Sequence, residues 1–139
     1  MLKLVRILIY TPKYFLHKEF KCPCCDRVRV AEALIFALDN FRRVWTSPIL
    51  IKSGFRCAKY NSQVGGDKNS RHLIGCAADI KPHAPELFDV FKFEAENLFK
   101  FLPDWELKIY KNFIHVAVPR SERFFVWSGQ DININFCGN

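Results

Sequence analysis

The sequence predicts an α+β fold, helices packed on a small central antiparallel sheet. Two segments repeat apolar residues at three- and four-residue steps, and a later stretch alternates apolar with polar residues around a two-residue loop. The first helix is expected over Val30–Trp45, where Val30, Leu34, Ala37, Leu38, Phe41 and Trp45 fall on one face. Arg42 and Arg43 near its end suit the negative pole of the helix dipole, and Pro48 stops it. Ile49-Leu50-Ile51 then reads as a short strand bounded by Ser53-Gly54. Arg56 to Arg71 is polar and reads as a long loop, with room for a helical turn. A second helix is expected over Pro85–Leu102, with Leu87, Phe91, Ala95, Leu98 and Leu102 on its buried face and Phe88, Phe93 and Phe99 widening it. Three strands follow, Trp105–Tyr110, Phe113–Val118 and Arg123–Trp127, the first two joined through Lys111-Asn112 as an antiparallel hairpin.

Size and composition narrow the function classes. The 139 residues include 14 Phe, three Trp and four Tyr, too aromatic for a disordered chain and enough for one core. No apolar run approaches the roughly 20 residues of a membrane span. The net charge is +7, and seven basic residues face only Glu19 and Asp26 within the first 30 positions. Such a bias favours polyanionic partners without naming one, and no Arg-rich recognition helix or zinc-finger spacing points to specific nucleic acid. Arg6 interrupts the opening Leu4–Ile9 run, and Tyr10-Thr11-Pro12-Lys13 stands where a cleavage site would lie, so no export signal is read. Cys22, Cys24 and Cys25 crowd together, whereas Cys57, Cys76 and Cys137 are scattered. The six read as thiols, partly buried, with a structural metal at Cys22 and Cys25 as the lesser alternative, since no second Cys-x-x-Cys completes a ribbon.

The histidines carry the chemical signal. His115 lies mid-strand, with Phe113 and Ala117 on its face and Ile114, Val116 and Val118 on the other. His72 lies on a loop, and Asp79 follows seven residues later. Two imidazoles and a carboxylate supply three zinc ligands and leave a fourth position open, the catalytic coordination pattern. Taken singly, each has an ordinary alternative: a packed strand histidine, or an aspartate capping a helix. His17 and His83 fall outside the constellation, His17 as a solvated residue of the basic segment and His83 as a loop residue.

The segment Ser70-x-His72-x-x-Gly75-x-Ala77-x-Asp79 resembles the signature of the zinc D-Ala-D-Ala carboxypeptidase and L-alanyl-D-glutamate endopeptidase family, whose fold is shared with the hedgehog signalling domain. Ser53-Gly54-Phe55-Arg56-Cys57, Tyr60-Asn61-x-x-Val64-Gly65-Gly66, Phe15-x-x-x-Glu19-Phe20-x-Cys22 and Ile109–Val116 are similar to the flanking segments of compact, phage-type members. The resemblance runs from about Lys13 to Trp127 and suggests a zinc peptidase domain over 13–139 behind a basic segment at 1–12.

The resemblance implies roles. His72, Asp79 and His115 would hold one zinc, Arg56 would polarise a carbonyl or bind a peptide carboxylate, Ser70 would orient the His72 loop or contact substrate, and Gly75 would permit the tight turn between two ligands. Two departures stand out. Many members carry a glutamate three residues before the last histidine as general base, where this chain has Asn112; compact members carry an aspartate two residues after it, where this chain has Ala117. Glu106, on the neighbouring strand, is the candidate replacement base, weighed against a surface glutamate paired with Lys108.

The expectation is therefore a zinc metallopeptidase cutting the stem or cross-link peptide of peptidoglycan, an endolysin-like phage or prophage product made in the host cytoplasm and acting at the wall. Its basic segment would hold anionic envelope polymers, and the chain would be a monomer. The alternatives are a catalytically weak zinc-containing wall-binding or virion-associated protein, favoured by Asn112 and Ala117, and a nucleic-acid binder, which leaves the constellation unexplained.

Overall fold

A computed structural model describes residues 11–128. Strand β1 (Val28–Ala31) leads into helix α1 (Glu32–Trp45), followed by β2 (Ile49–Ser53), a short helix α2 (Ala58–Gln63), β3 (Ala77–Pro82), helix α3 (Phe88–Phe99), β4 (Glu106–Ile109), β5 (Ile114–Ala117) and β6 (Phe125–Ser128). Single 3-10 turns occupy His17–Phe20, Arg71–Ile74 and Pro85–Leu87.

The main sheet has the order β2-β3-β5-β4, antiparallel throughout, and β1 pairs with β6 in a separate two-stranded ribbon. Alternation divides the sheet into two chemically different faces. Ala78, Ile80, Ile114 and Val116 join Leu34, Leu38 and Phe41 of α1 and Phe91 and Phe99 of α3 in one buried core. Asp79 and His115 are directly paired across β3 and β5, on the opposite face. The helices thus back the sheet and leave its other face for chemistry. No helix of the described residues is long and apolar enough to cross a membrane.

The α+β expectation holds, with four changes of detail. Val30 belongs to β1, and α1 begins at Glu32. The helical period reaches Val30, but pairing of Val28–Ala31 with Phe125–Ser128 satisfies that backbone and overrides local preference. The third expected strand, β6, therefore joins β1 instead of the main sheet. In α3 the buried stripe is Phe91, Ala95 and Phe99, whereas Leu87, Leu98 and Leu102 are 38%, 42% and 38% exposed. Phe99 stacks on Trp105 and meets Phe41 edge-on, so the larger aromatic rings set the helix rotation in preference to the leucines. Finally, the helical turn allowed for in the polar stretch 56–71 is α2, as expected, whereas Ala77–Pro82 forms the central strand β3, which had no expected element of its own. The Lys111-Asn112 loop closes as expected, with the Tyr110 amide donating to the Phe113 carbonyl.

Two polar anchors fix what lies around the sheet. Buried Asp39 of α1 accepts the amides of Lys13 and Tyr14 at 2.7 and 2.8 Å, which ties the incoming chain to the helix. The 3-10 turn Arg71–Ile74 docks on β1, where the Ala31 amide donates to the Gly75 carbonyl at 2.8 Å. His17 lies half-buried in its own turn, more enclosed than a solvated residue, while His83 is exposed.

Candidate metal centre

His72 is placed by its own turn. The Ser70 hydroxyl accepts the His72 amide at 3.2 Å, opening the turn, and Gly75 closes it at φ +75°. The chain then enters β3, where a register shift on β2 between Ile51 and Ser53 falls opposite the step from Asp79 to Ile80. His115 projects from the neighbouring strand β5. The three side chains are 2%, 4% and 8% exposed, so they meet away from bulk water.

Their geometry converges on one point. Asp79 Oδ1 lies 3.2 Å from His72 Nε2 and 3.1 Å from His115 Nδ1. Each imidazole has its other nitrogen engaged: His72 Nδ1–H donates to the Gly54 carbonyl at 2.7 Å, and His115 Nε2–H donates to Glu106 Oε1 at 2.9 Å. These bonds fix the tautomers, since a carbonyl and a carboxylate only accept. Burial holds the His72 ring below its ordinary pKa, against the pull of Asp79, so it is neutral at pH 7. The lone pairs of His72 Nε2 and, in the neutral ring, His115 Nδ1 therefore face an anionic oxygen with no proton committed between them. A shared cation resolves that juxtaposition, and the two imidazoles and one carboxylate are a zinc donor set. Burial alone would raise Asp79, but protonation of the imidazoles of His115 and His72 supplies hydrogen bonds and charge that hold it well below the usual carboxylate range.

Around these three lies a fixed polar shell. The Arg56 guanidinium bonds Ser53 Oγ through Nε at 3.0 Å, Asn61 Oδ1 through Nη1 at 3.3 Å and Asp79 Oδ2 through Nη2 at 3.1 Å. Glu106 bonds His115 with one oxygen and lies 3.5 Å from Arg71 Nε with the other. Burial tends to raise Glu106, but the His115 bond and the Arg71 charge bring it below its ordinary value. The expected surface pairing of Glu106 with Lys108 is thus displaced by a bond to His115 across the hairpin, where register sets Lys108 opposite His115 and Glu106 opposite Ala117.

All six residues singled out from sequence, Arg56, Ser70, His72, Asp79, Glu106 and His115, line one open cleft of about 490 Å³. Asn112 is exposed on the hairpin loop and outside the cleft lining. Sequence reasoning gave no role to Asn61, Arg71 or the Gly54 carbonyl. Asn61 is 4% exposed and bonds both Arg56 and the Asp67 carbonyl, and Arg71 also donates to the carbonyls of Asp104 and Val118. Asn61 was visible only as part of the Tyr60–Gly66 motif, and Arg71 only as the neighbour of His72.

The pattern of one family, described as peptidase M15, matches residues 13–117. The zinc D-Ala-D-Ala carboxypeptidase of Streptomyces albus G is 54% identical over 33 residues, which are 24% of this chain and 13% of that protein. The matched stretch is thus a small part of that relative's length. The family match spans most of the chain and contains the two elements that bring His72 and Asp79 to His115, so the chain belongs to the peptidase M15 family.

Proposed function

We propose that the chain is a zinc-dependent peptidase hydrolysing an amide bond in the peptide part of bacterial peptidoglycan. The observation that carries the reading is the convergence of His72 Nε2, Asp79 Oδ1 and His115 Nδ1 on the floor of the cleft, with the second nitrogen of each imidazole already engaged. Zinc held by these atoms supplies Lewis acidity, which activates water and polarises a carbonyl near neutral pH.

The chain's own groups do the rest. Arg56, fixed at three nitrogens, presents a rigid cation beside Asp79 for a substrate carbonyl or carboxylate oxygen. Ser70 keeps the His72 turn in place and lines the cleft with Arg56. Glu106 lines the cleft beside Asp67 and, unlike it, bonds a candidate ligand imidazole; in this reading it takes the proton from the attacking water. Its bond to His115 Nε2 favours a second role, in which it orients the ligand imidazole. The stacked pair Tyr110 and Phe113, ring centroids 4.6 Å apart, forms an apolar wall for substrate side chains.

Finer assignments rest on narrower support. A D-Ala-D-Ala bond follows the name of the Streptomyces relative, and an endolysin-type role in phage or prophage lysis follows the compact-type motif resemblance. Adhesion to anionic envelope polymers follows the charge of the first 30 residues, of which Lys13, Lys18 and Lys21 are exposed. The alternative, a weakly active wall binder that retains zinc, draws on Asn112 and Ala117.

Digestion of purified muropeptides with mass analysis of the products separates these readings. Zinc-dependent release of a single amino acid or a cleaved stem is the expected result. Zinc-loaded protein that adsorbs to wall fragments and leaves every peptide intact would establish the binder instead.

A further inference from the structure

Two cations face the cleft without a counterion. Alternation sets Glu106 and Lys108 of β4, and Tyr110 just beyond it, on one side of the sheet, and register places Lys108 directly opposite His115. All three line the cleft, as does Arg120, which lies exposed just after β5.

The ion pairs around the centre show why these two stand apart. Asp79 is held by Arg56 and by both imidazoles, and Glu106 by His115 and Arg71. Glu106, the nearest acid to Lys108 on its own strand, is thereby committed elsewhere. Asp67 is the third carboxylate of the lining, and its Oδ1 accepts the Asn69 amide at 2.7 Å. Lys108 and Arg120 have no hydrogen-bond or ion-pair partner among the described residues. The described lining thus sets four cations against three carboxylates, two of which are already paired. A cleft of that sign concentrates anionic ligands. The aromatic wall has the same bias: Tyr110 stacks on Phe113, and the Lys52 ammonium lies 4.5 Å from the Phe113 ring centroid. An apolar wall bordered by ammonium groups suits a side chain with an aliphatic stem and an anionic end.

We infer that Lys108, assisted by Arg120, is a specificity-determining residue that binds a side-chain carboxylate of the substrate, separate from the oxygen that Arg56 meets. The inference rests on the peptidase reading and narrows it to acidic peptides. The two cations flank the candidate ligands: Arg56 bonds Asp79 of β3, whereas Lys108 stands on β4, with β5 between them. Two strand spacings separate β3 from β4 by about 10 Å, which an extended peptide covers in about three residues. The selected carboxylate therefore lies within about three residues of the group at Arg56, and its charge is held beside Glu106.

The test uses zinc-loaded full-length protein and soluble peptides that differ in one side chain, glutamate or its isostere glutamine, within three residues of the cut bond. Wild-type protein should favour the glutamate peptide about tenfold in kcat/KM, chiefly through KM. Lys108→Met should bring that ratio towards one, adding Arg120→Gln should remove what preference remains, and Lys108→Arg should restore it. Lys108→Glu should instead favour a lysine peptide, an inversion that a merely structural role does not produce. Equal kcat/KM for the two peptides in wild type, or a ratio unchanged in Lys108→Met, would overturn the inference and leave the peptidase reading standing. If no peptide is cut, calorimetric binding of the same peptides decides. Tighter binding of the glutamate peptide, lost in Lys108→Met, would keep the anion site and remove the peptidase reading, whereas equal binding would remove both.

Discussion

Replacing Gly75 with alanine tests whether the turn between His72 and Asp79 is held by sterics. Gly75 sits at φ +75°, and a Cβ built there would lie 2.3 Å from the Arg29 carbonyl oxygen and 2.7 Å from its carbon. Both are backbone atoms of β1, so no side-chain rotation relieves them. The left-handed conformation alone costs about 1–2 kcal/mol for a residue with a Cβ. Displacing packed backbone adds about 1–3 kcal/mol, for a total of roughly 2–5 kcal/mol. Gly65 provides the control, because its φ is +73° while nothing lies within 4 Å of a Cβ there. Gly65→Ala should therefore lose only the conformational part, about 1–2 kcal/mol. Urea unfolding of both metal-free variants reads the difference, and a thermal scan should show about 3–5 °C per kcal/mol for a chain of this size. Because the Ala31 amide bonds the Gly75 carbonyl, relief by moving the turn breaks a backbone bond and displaces His72 from Asp79. Zinc affinity should therefore fall in Gly75→Ala and stay near wild type in Gly65→Ala. Equal destabilisation of the two variants, within about 0.5 kcal/mol, would refute the steric argument.

Four further outcomes are expected. Glu106→Gln keeps an acceptor for His115 Nε2 but cannot take a proton, so zinc content should hold while kcat falls about 10²–10⁴-fold; Glu106→Ala should also weaken zinc binding about 10–100-fold, and full activity in Glu106→Gln would leave Glu106 only its orienting role. Arg56→Lys removes the planar fork bonded to Ser53, Asn61 and Asp79, and peptide hydrolysis should fall well over tenfold with zinc retained; unchanged kcat/KM would remove Arg56 from the reaction. In metal-free protein, His72, Asp79 and Glu106 are all held below their ordinary values, so the unfolded chain binds more protons as pH falls. Stability measured by urea titration should decline from about pH 6.5 through His72 and more steeply below about pH 4 through the carboxylates, and stability flat from pH 7 to 4 would contradict these positions. Raising salt should weaken adsorption to wall fragments more than hydrolysis of a small soluble peptide; equal loss of both would tie the basic segment to the reaction centre.

What the sequence disclosed follows from how local each signal is. The α1 stripe, the hairpin and the His115 face are set by residues within a few positions of one another, and all three survive folding. β1 and β3 were illegible for the same reason. Val28–Ala31 is a strand only because Phe125–Ser128 lies beside it, and Ala77–Pro82 is a short apolar run whose strand character depends on β2 and β5 on either side. The candidate triad of His72, Asp79 and His115 was legible through its motif, but its orientation was not. Nothing local to His72 indicates that the Gly54 carbonyl, 18 residues earlier, fixes which nitrogen is available. Asn61 was equally hidden, because an asparagine in a polar stretch carries no mark of burial until α2 turns it against Arg56.

The two departures at Asn112 and Ala117 acquire a common meaning from the register of β4 and β5. Position 112 lies at the exposed tip of the hairpin, so a carboxylate there is lost from this centre, not moved within it. Position 117 is different: it faces the same side as His115 and stands directly opposite Glu106. Paired positions on one face of a sheet have Cβ atoms about 4.5–5.5 Å apart, and a glutamate reaches across such a gap while alanine yields the space. A carboxylate therefore does reach His115, delivered from the neighbouring strand and bonded to His115 Nε2. Arg71 holds its other oxygen and is itself bonded to the backbone at Asp104 and Val118, which frame β4 and β5. Motif inspection along a single strand registers a missing acid at 117. Pairing between strands shows that the centre retains one, and it makes Glu106 the residue on which the choice between peptidase and zinc-bearing wall binder turns.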